Sequence, residues 1–212
     1  MPLPNESLGT QAYRWLQEEL MSGRFLPGEK LKLRDLAKEL GISQTPVREA
    51  LARLTSDLAL VQIDHRSVHV PLMSKQRYKE IFELRYILEG LAAEKAALLA
   101  SPADIEELDH LHEQMVGSSS YTGSRNRLIF NQKFHMKISE ICNQPSLARA
   151  IKGLWLQSGP VLRGLSIIPA SPPENHPHLI ILNGIRDKDP IMARSGIQTD
   201  LTLATQLLLA QL

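Results

Sequence analysis

The residues with the clearest capacity for chemistry lie on predicted helices in the C-terminal two thirds of the chain. Asn131 and His135 are four residues apart, so on a helix their side chains project in the same direction and could hold one ion. His178 and Asp200 lie on two further predicted helices, each among apolar neighbours. Because a helical bundle brings core positions together, these four side chains are candidate ligands of one divalent ion. The alternative is an ion-free pocket in which Asp200 pairs with a histidine or an arginine, since buried charge is costly unless paired.

Arg85 is a candidate of a different kind, because its guanidinium lies on an apolar helical stripe. A guanidinium can bind a carboxylate through two hydrogen bonds, so a small carboxylate effector is one partner for Arg85. The other is Glu89, which lies one helical turn further along the chain.

Three other histidines receive lesser roles. His110 and His112 lie on a predicted helix rich in glutamate, which predicts a solvated face. His176 is a substitute for His178 as a ligand, although its position on the helix is less favourable.

The elements that must position these residues are helical almost everywhere after residue 73, as the apolar periodicity indicates. The predicted helices cover about 74–100, 101–117, 125–142, 145–166, 177–187 and 190–211. Pro160 is predicted to kink or break its helix. Residues 73–212 are therefore predicted to form an all-α antiparallel bundle of about six helices that binds the effector and dimerises.

Residues 1–72 have a different organisation, within a chain whose fold class is mainly α. Predicted helices cover about 7–22, 33–40 and 43–56, and Gly41 makes a sharp turn between the second and the third. Residues 60–72 alternate between apolar and polar on either side of a polar turn, which predicts a β-hairpin. Three helices followed by a hairpin wing predict a winged helix-turn-helix. The alternative is a small helical domain with a solvated polar turn.

The third predicted helix has the side chains of a DNA-reading element. Gln44, Thr45 and Arg48 place an amide, a hydroxyl and a guanidinium at its N-terminal end, where recognition helices meet base edges and phosphates. Arg34 begins the preceding helix and is placed for a phosphate or a guanine. The hairpin tip, His65-Arg66, could enter the minor groove or contact phosphate.

Composition limits the classes of function. The chain has 212 residues, 43% hydrophobic and 22% charged, as in ordinary globular proteins. The formal net charge of +1 excludes a polybasic chain held on nucleic acid by bulk charge, and residues 1–73 hold nine basic and nine acidic side chains. The single cysteine, Cys142, excludes a disulfide framework and a multi-cysteine zinc site. No apolar run approaches the roughly 20 residues that span a membrane, and the N-terminus lacks the regions of a signal peptide, so we expect a cytoplasmic protein.

The N-terminal motifs are those of a known family. The run GRFLPGEKL at 23–31, Gly41-Ile-Ser43 and above all TPVREALARL at 45–54 resemble the GntR family of bacterial transcription regulators, and residues 64–71 resemble its wing. Leu58 stands where that family usually has a glycine. The resemblance implies a homodimer on a short, near-palindromic operator of double-stranded DNA. The residues expected to face the DNA are Arg34, Ser43, Gln44, Thr45, Arg48, His65 and Arg66.

Residues 74–210 resemble the FCD ligand-binding domain of the FadR subfamily, with the shorter, VanR-like helix count. The motifs are ELRYILE at 83–89, NQKFH at 131–135, and His178 on a helix that ends RDKD at 186–189. Many members bind a divalent metal through an aspartate, a histidine four residues later and two later histidines. Here Asn131 replaces the aspartate and Asp200 the last histidine, so the summed ligand charge is unchanged.

This ligand set has a chemical preference. Two imidazoles with two oxygen ligands favour harder ions such as Mn²⁺ or Ni²⁺ and also admit Zn²⁺. The resemblance also implies a small organic acid as effector, and the residues expected to contact it are Arg85, Asn131, His135 and His178.

The leading interpretation is a one-component regulator, in which effector binding shifts the relative placement of the two DNA-binding domains of a dimer. One alternative is a metal-dependent hydrolase that uses the His/Asp/Asn cluster, although no nucleophile motif or phosphate-binding loop accompanies it. The other is a ligand-free dimeric DNA-binding scaffold. We therefore expect no enzymatic activity.

Overall fold

The N-terminal third of the chain folds as three helices and a small sheet in the computed structural model, which describes residues 6–64, 67–118, 125–164 and 176–211. Its elements are α1 (Leu8–Met21), β1 (Lys30–Leu31), α2 (Leu33–Leu40), α3 (Gln44–Ser56), β2 (Val61–Ile63) and β3 (Ser67–His69). Ser7 begins α1 by accepting the backbone N–H of Thr10. Gly41 ends α2 with φ of 65°, a left-handed conformation that turns the chain into α3. The predicted winged helix-turn-helix is confirmed.

The wing contains one strand that the sequence pattern does not predict. β3 is the central strand of a three-stranded antiparallel sheet in the order β1-β3-β2, and Lys30 pairs with His69. β1 has two residues, too few for an alternating pattern to reveal. The sheet therefore joins the start of α2 to the wing.

Six further helices are present in the described part of the C-terminal region. They are α4 (Lys75–Leu99), α5 (Pro102–Gly117), α6 (Arg125–Ile141), α7 (Pro145–Leu162), α8 (Pro177–Arg186) and α9 (Pro190–Leu209). Proline occupies the first turn of α5, α7, α8 and α9. Backbone N–H groups in a first turn have no intrahelical acceptor, so proline, which lacks this N–H, loses no hydrogen bond there. Ser101 and Asp104 form a capping box at the start of α5.

The sequence predicts a kink or a break at Pro160, and the break does not occur. Helix α7 continues through this proline to Leu162. Only two helical residues follow Pro160, so the missing amide disturbs no more than the last turn.

Two apolar cores hold these elements together. One is formed among α4, α5, α6, α8 and α9 and includes Phe134 and Ile181. The other joins α7 to α1 and α3 of the N-terminal winged helix-turn-helix, which we call the reader. Trp155 is fully buried within this second core. At Gly159 a side chain would not fit, because a Cβ there would lie 2.5 Å from the carbonyl oxygen of Leu20 on α1. The reader and the bundle are therefore in direct contact through α1 and α7.

Candidate functional site

Three of the four predicted ligands converge in the bundle. Nε2 of His135 on α6 lies 3.3 Å from one carboxylate oxygen of Asp200 on α9. Nε2 of His178 on α8 lies 3.5 Å from the other oxygen. One ligand atom from each side chain lies within 4.8 Å of the others. Asn131, one turn before His135 on α6, lines a cavity together with His135 and Asp200.

Glu89 of α4 orients His135 from behind. Its Oε2 lies 2.8 Å from Nδ1 of His135, and its Oε1 accepts hydrogen bonds from Arg85 Nε at 2.6 Å and Trp155 Nε1 at 3.1 Å. With its Nδ1 proton held by Glu89, His135 presents Nε2 to Asp200, and Nε2 would give up its own proton to bind an ion. Sequence reasoning considered Glu89 only as a partner of Arg85. The signal that could have identified it is its place on the same buried stripe of α4, with a core histidine to satisfy.

Arg85 is engaged within the protein. Besides Glu89, its guanidinium donates to the hydroxyl of Ser158 at 3.3 Å and lies 4.1 Å from the centre of the Trp155 ring. The side chain is only 3% exposed, so each of these contacts is made away from water. The geometry is that of the ion pair with Glu89, and Arg85 also lines the cavity.

The electrostatics of the site follow from burial opposed by pairing. Burial alone would raise the pKa of Glu89, but Arg85 and His135 hold it at about 2. Burial opposes the charged form of His135, and the carboxylates of Asp200 and Glu89 overcome it and raise its pKa to about 9. The pKa of Asp200 is held well below its usual value by the histidines around it, although burial opposes this. Burial keeps the pKa of His178 well below its usual value, so this ring is neutral.

Several ring nitrogens in the site have no hydrogen-bond partner among the described residues. They are Nε2 of His135 and both nitrogens of His178, since the contacts to Asp200 are at ion-pair distance without hydrogen-bond geometry. Buried polar atoms usually have hydrogen-bond partners, so these unsatisfied nitrogens are exceptions that a bound ion would explain. Two imidazoles and a carboxylate, with a second carboxylate behind one imidazole, are the donor set that a divalent ion requires. The residues present fit such an ion.

The cavity beside these groups has a volume of about 120 Å³. It is lined by Tyr78, Arg85, Met115, Arg127, Leu128, Asn131, His135, Trp155, Leu162, His176, Pro177, Asp200, Leu201, Leu203, Ala204 and Leu207. An apolar wall with a few converging polar groups is typical of small-molecule sites. Arg127, two turns before His135 on α6, adds a second guanidinium to this wall, and burial lowers its pKa.

The solvated face predicted for α5 is wrong at His112. His112 is 8% exposed, and its ring contacts those of His176 and His178 at centroid distances of 5.3 and 6.0 Å. It continues the buried stripe of Leu108 and Met115, a helical spacing that the glutamates around it obscure. His110 is exposed, as predicted.

In the reader, the predicted DNA-facing side chains that the structure describes are exposed. Ser43, Gln44, Thr45 and Arg48 surround the N-terminal end of α3, and Arg34 lies on the first turn of α2. The opposite side of α3 is buried through Val47, Ala50, Leu51 and Leu54. His65 and Arg66 lie outside the described residues.

The arginines of the reader divide into two groups. Arg34 and Arg48 form no ion pair with any residue that the structure describes. By contrast, Arg24 pairs with Glu19 and Glu39, and the guanidinium of Arg53 lies 3.8 Å from the ring centre of Tyr13. Arg34 and Arg48 are therefore exposed guanidinium groups of the helix-turn-helix that need break no ion pair with a described residue to contact DNA.

Within the described ranges, no helix has the length and apolarity that crossing a membrane requires. This finding agrees with the absence of long apolar runs in the sequence.

Comparison with known proteins gives the family. Residues 8–70 match the family described as bacterial regulatory proteins, gntR family, and residues 80–202 match the FCD domain. The HTH-type transcriptional regulator McbR of Escherichia coli (strain K12) is 34% identical over 186 residues, which are 86% of this chain and 84% of that protein. The solved structure of E. coli McbR/YncC superposes with a TM-score of 0.90 at 31% identity and covers 98% of this chain and 99% of its own.

A structure from Rhodococcus sp. RHA1, described as a GntR transcriptional regulator, has the same fold, with a TM-score of 0.77 at 18% identity over 98% of this chain and 100% of its own. The family and these relatives are transcription regulators, which sets the hydrolase interpretation aside. The chain belongs to the GntR family of DNA-binding transcription regulators, with an FCD effector-binding domain as its C-terminal half.

Proposed function

We propose that this regulator binds a near-palindromic operator as a homodimer, and that a small organic acid and a divalent ion in the bundle cavity modulate this binding. The observation that carries the proposal is the convergence of His135, His178 and Asp200, two of which, His135 and Asp200, line a cavity of about 120 Å³. The resemblance to FCD domains supplies the class of effector, and the guanidinium groups of Arg85 and Arg127 at the cavity are suited to a carboxylate.

The residues that would hold the ion are His135, His178 and Asp200, with Asn131 as a further oxygen ligand. A bound Mn²⁺, Ni²⁺ or Zn²⁺ supplies a Lewis acid to which a carboxylate oxygen can bind. The protein's own contribution is to orient the ring of His135 through Glu89 and to exclude water by burial of both imidazoles.

The contacts of α7 offer a route from this site to the reader. Trp155 and Ser158 of α7 hydrogen-bond to Glu89 and Arg85 in the site. The next residue, Gly159, lies against α1, and α1 packs on α3. A shift of α7 on effector binding would therefore displace α1 and the recognition helix together. Coupling between two such sites is typically about 1–3 kcal/mol.

The homodimer is supported by an exposed apolar stripe on α4. Leu84, Ile87 and Leu98 lie on one side of this helix and are 50%, 55% and 59% exposed. A second copy is the occupant that we propose, because two reader heads must be held together to match two half-sites. The Ile87→Glu variant is expected to be monomeric by light scattering and to lose operator affinity, whereas Lys79→Glu, off the stripe on the same helix, remains dimeric. A dimeric Ile87→Glu variant would place the interface elsewhere.

The proposed function is tested with chelator-free protein and an operator selected from random duplexes. Dialysis against Mn²⁺, Ni²⁺ or Zn²⁺ is expected to load one ion per chain at the ligands named above. A panel of organic acids is then titrated while operator binding is followed by fluorescence anisotropy. The expected shift is roughly 5- to 150-fold in affinity.

The matched variants are His135→Ala and His110→Ala. His135→Ala is expected to lose the ion bound with Asp200 and the effector response while it still binds the operator. His110→Ala, which alters an exposed ring, is expected to retain both. A panel in which no acid changes the melting temperature or operator affinity would favour the ligand-free scaffold.

A further inference from the structure

A second group of histidines shares His178 with the first, and its other two members hold no ion in the proposed function. His112 of α5, together with His176 and His178 at the start of α8, offers three ring nitrogens that lie within 4.8 Å of one another. The ring of His176 lies 4.7 Å from that of His178 and 5.3 Å from that of His112, measured between centroids. Three separate imidazoles are thus gathered in one place by two helices.

The rings in this group lack partners for their buried nitrogens. Nδ1 of His112 and both nitrogens of His178 have no hydrogen-bond partner among the described residues. His112 is 8% exposed and His178 is fully buried, so water does not readily replace the missing partners. An unsatisfied buried nitrogen is destabilising unless something binds it.

The charged groups near His112 do not fill this role. Asp109 and Glu113 flank it on α5, and Asp109 is paired with Arg186 of α8. The three ligands of this group are therefore imidazoles, and the carboxylate of Asp200, which belongs to the first set, lies 3.5 Å from Nε2 of His178.

We propose that His112, His176 and His178 form a second divalent-ion site, made of three imidazoles and selective for Zn²⁺, Ni²⁺ or Cu²⁺. Imidazole ligands suit these ions, whereas carboxylate and amide oxygens suit Mn²⁺. A neutral imidazole has one lone pair to donate, so His178 serves either this set or the set with His135 and Asp200. The identity of the ion then determines which of the two positions it occupies.

His176 carries the cost of ligation in this site. Its Nδ1 accepts the backbone N–H of His178 at 3.3 Å and caps α8, so its ring proton lies on Nε2. Binding an ion through Nε2 moves this proton to Nδ1 and gives up the cap, whose bond is already long. His112 makes no such exchange, which makes it the ligand to remove in a test.

The test uses a chain from which the first set has been removed while His178 is kept. The double variant His135→Ala/Asp200→Asn is expected to bind about one Ni²⁺ or Zn²⁺ per chain in equilibrium dialysis. Adding His112→Gln is expected to weaken this binding at least tenfold, and adding His110→Gln on the exposed side of the same helix leaves it unchanged. X-ray absorption of the bound Ni²⁺ is expected to show nitrogen ligands from three imidazoles.

The proposal is overturned if the folded double variant binds neither ion, or if His112→Gln leaves its affinity unchanged. Folding is checked by the far-UV circular dichroism and melting temperature of each variant. The first site is scored separately by Mn²⁺ binding to the His112→Gln single variant, which retains His135, Asn131 and Asp200. Failure of that binding would count against the proposed function and leave the three-imidazole site standing.

Discussion

At the scale of single residues, Glu89 is the group on which the site depends. Its carboxylate is 3% exposed and is shared among Arg85, His135 and Trp155, so three side chains from three helices are oriented by one residue. Such a buried charge is tolerated only because its partners satisfy it, and removal of one member leaves the others unpaired. Arg85, also 3% exposed, would be left as a buried cation.

We therefore expect Glu89→Gln to lower the free energy of unfolding by about 3–5 kcal/mol in urea titrations. The same change is expected to weaken ion binding at His135 by roughly 10- to 100-fold, because the ring loses the carboxylate that sets its tautomer. The control is Glu94→Gln, which breaks the surface ion pair with Arg194 and is expected to cost less than about 1 kcal/mol. Equal losses in the two variants would mean that the buried network has no special weight.

The residues of the site were predictable from sequence to different degrees. His135 lies one helical turn after Asn131 on a polar strip, whereas His178 and Asp200 each interrupt an apolar stripe, a pattern that is visible without a structure. His112 follows the same rule, but glutamates on either side of it favour the wrong interpretation. The partner of a buried group is decided by packing between helices, so the contact between Glu89 and His135 could not be derived from periodicity.

At the scale of elements, the turn between α3 and β2 carries a local strain. Leu58 has φ of 60°, a left-handed conformation that costs a residue with a side chain about 1–2 kcal/mol. The family usually has a glycine here, and the side chain is 64% exposed, so little burial compensates for the strain. Sequence reasoning identified the departure, and the backbone angle gives its physical consequence.

Replacing Leu58 with glycine is expected to raise the free energy of unfolding by about 0.5–1 kcal/mol, because the relief of strain exceeds the greater entropy of glycine in the unfolded chain. Urea titration measures the change. Leu72→Gly is the comparison, since Leu72 is exposed and has no positive φ, and it is expected to give no stabilisation. A destabilised Leu58→Gly variant would show that the leucine side chain contributes more than its exposure indicates.

The contact between α7 and α1 gives a second prediction at this scale. A Cβ at Gly159 would meet backbone atoms of α1, at 2.5 Å from the Leu20 carbonyl oxygen and 2.6 Å from Met21 Cα. Gly159→Ala is therefore expected to lower stability by about 1–3 kcal/mol, since backbone must move to admit the methyl group. It is also expected to change the effector response of operator binding, because the proposed route to the reader passes through this contact.

The same helix provides the control. Gly153 has open space where its Cβ would lie, so Gly153→Ala is expected to stabilise the protein by up to about 1 kcal/mol through helix propensity alone. Unfolding curves of the two variants, followed by anisotropy titrations with effector, separate the packing effect from the helical one. An unaltered effector response in a destabilised Gly159→Ala variant would place the coupling route elsewhere.

The elements themselves were largely predictable, because helix starts are marked by capping serines and first-turn prolines. Two features were not. The strand β1 is too short to show a pattern, and it forms only because β3 offers it a partner. The effect of Pro160 depends on how near it lies to the end of α7, a boundary that local sequence defines poorly.

At the scale of the whole molecule, charge is balanced in the reader as well as in the full chain. Residues 1–73 hold nine basic and nine acidic side chains, so bulk attraction to phosphate is weak. Affinity for an operator must then come from a few placed cations, from base contacts and, in the proposed homodimer, from the joining of two DNA-binding domains. This arrangement favours selectivity, because nonspecific binding depends mainly on phosphate neutralisation.

The placed cation with the greatest expected effect is Arg48. It is exposed near the N-terminal end of α3 and has no ion-pair partner among the described residues, so a contact with DNA would break no ion pair with them. Arg48→Ala is expected to weaken operator binding by about 1–3 kcal/mol per head, enough in a dimer to abolish specific binding at physiological salt. Stability and oligomeric state are expected to remain at the values of the parent protein, because the side chain is exposed and forms no ion pair with a described residue. Arg149→Ala, a change of another exposed arginine on α7 of the bundle, serves as the control and is expected to bind the operator normally.

Anisotropy titrations at several salt concentrations distinguish the two kinds of contact that Arg48 could make. Loss of a base contact changes the sequence specificity, whereas loss of a phosphate contact reduces the salt slope by about one. An operator affinity unchanged at physiological salt would remove Arg48 from the interface and shift the readout to other residues of α3.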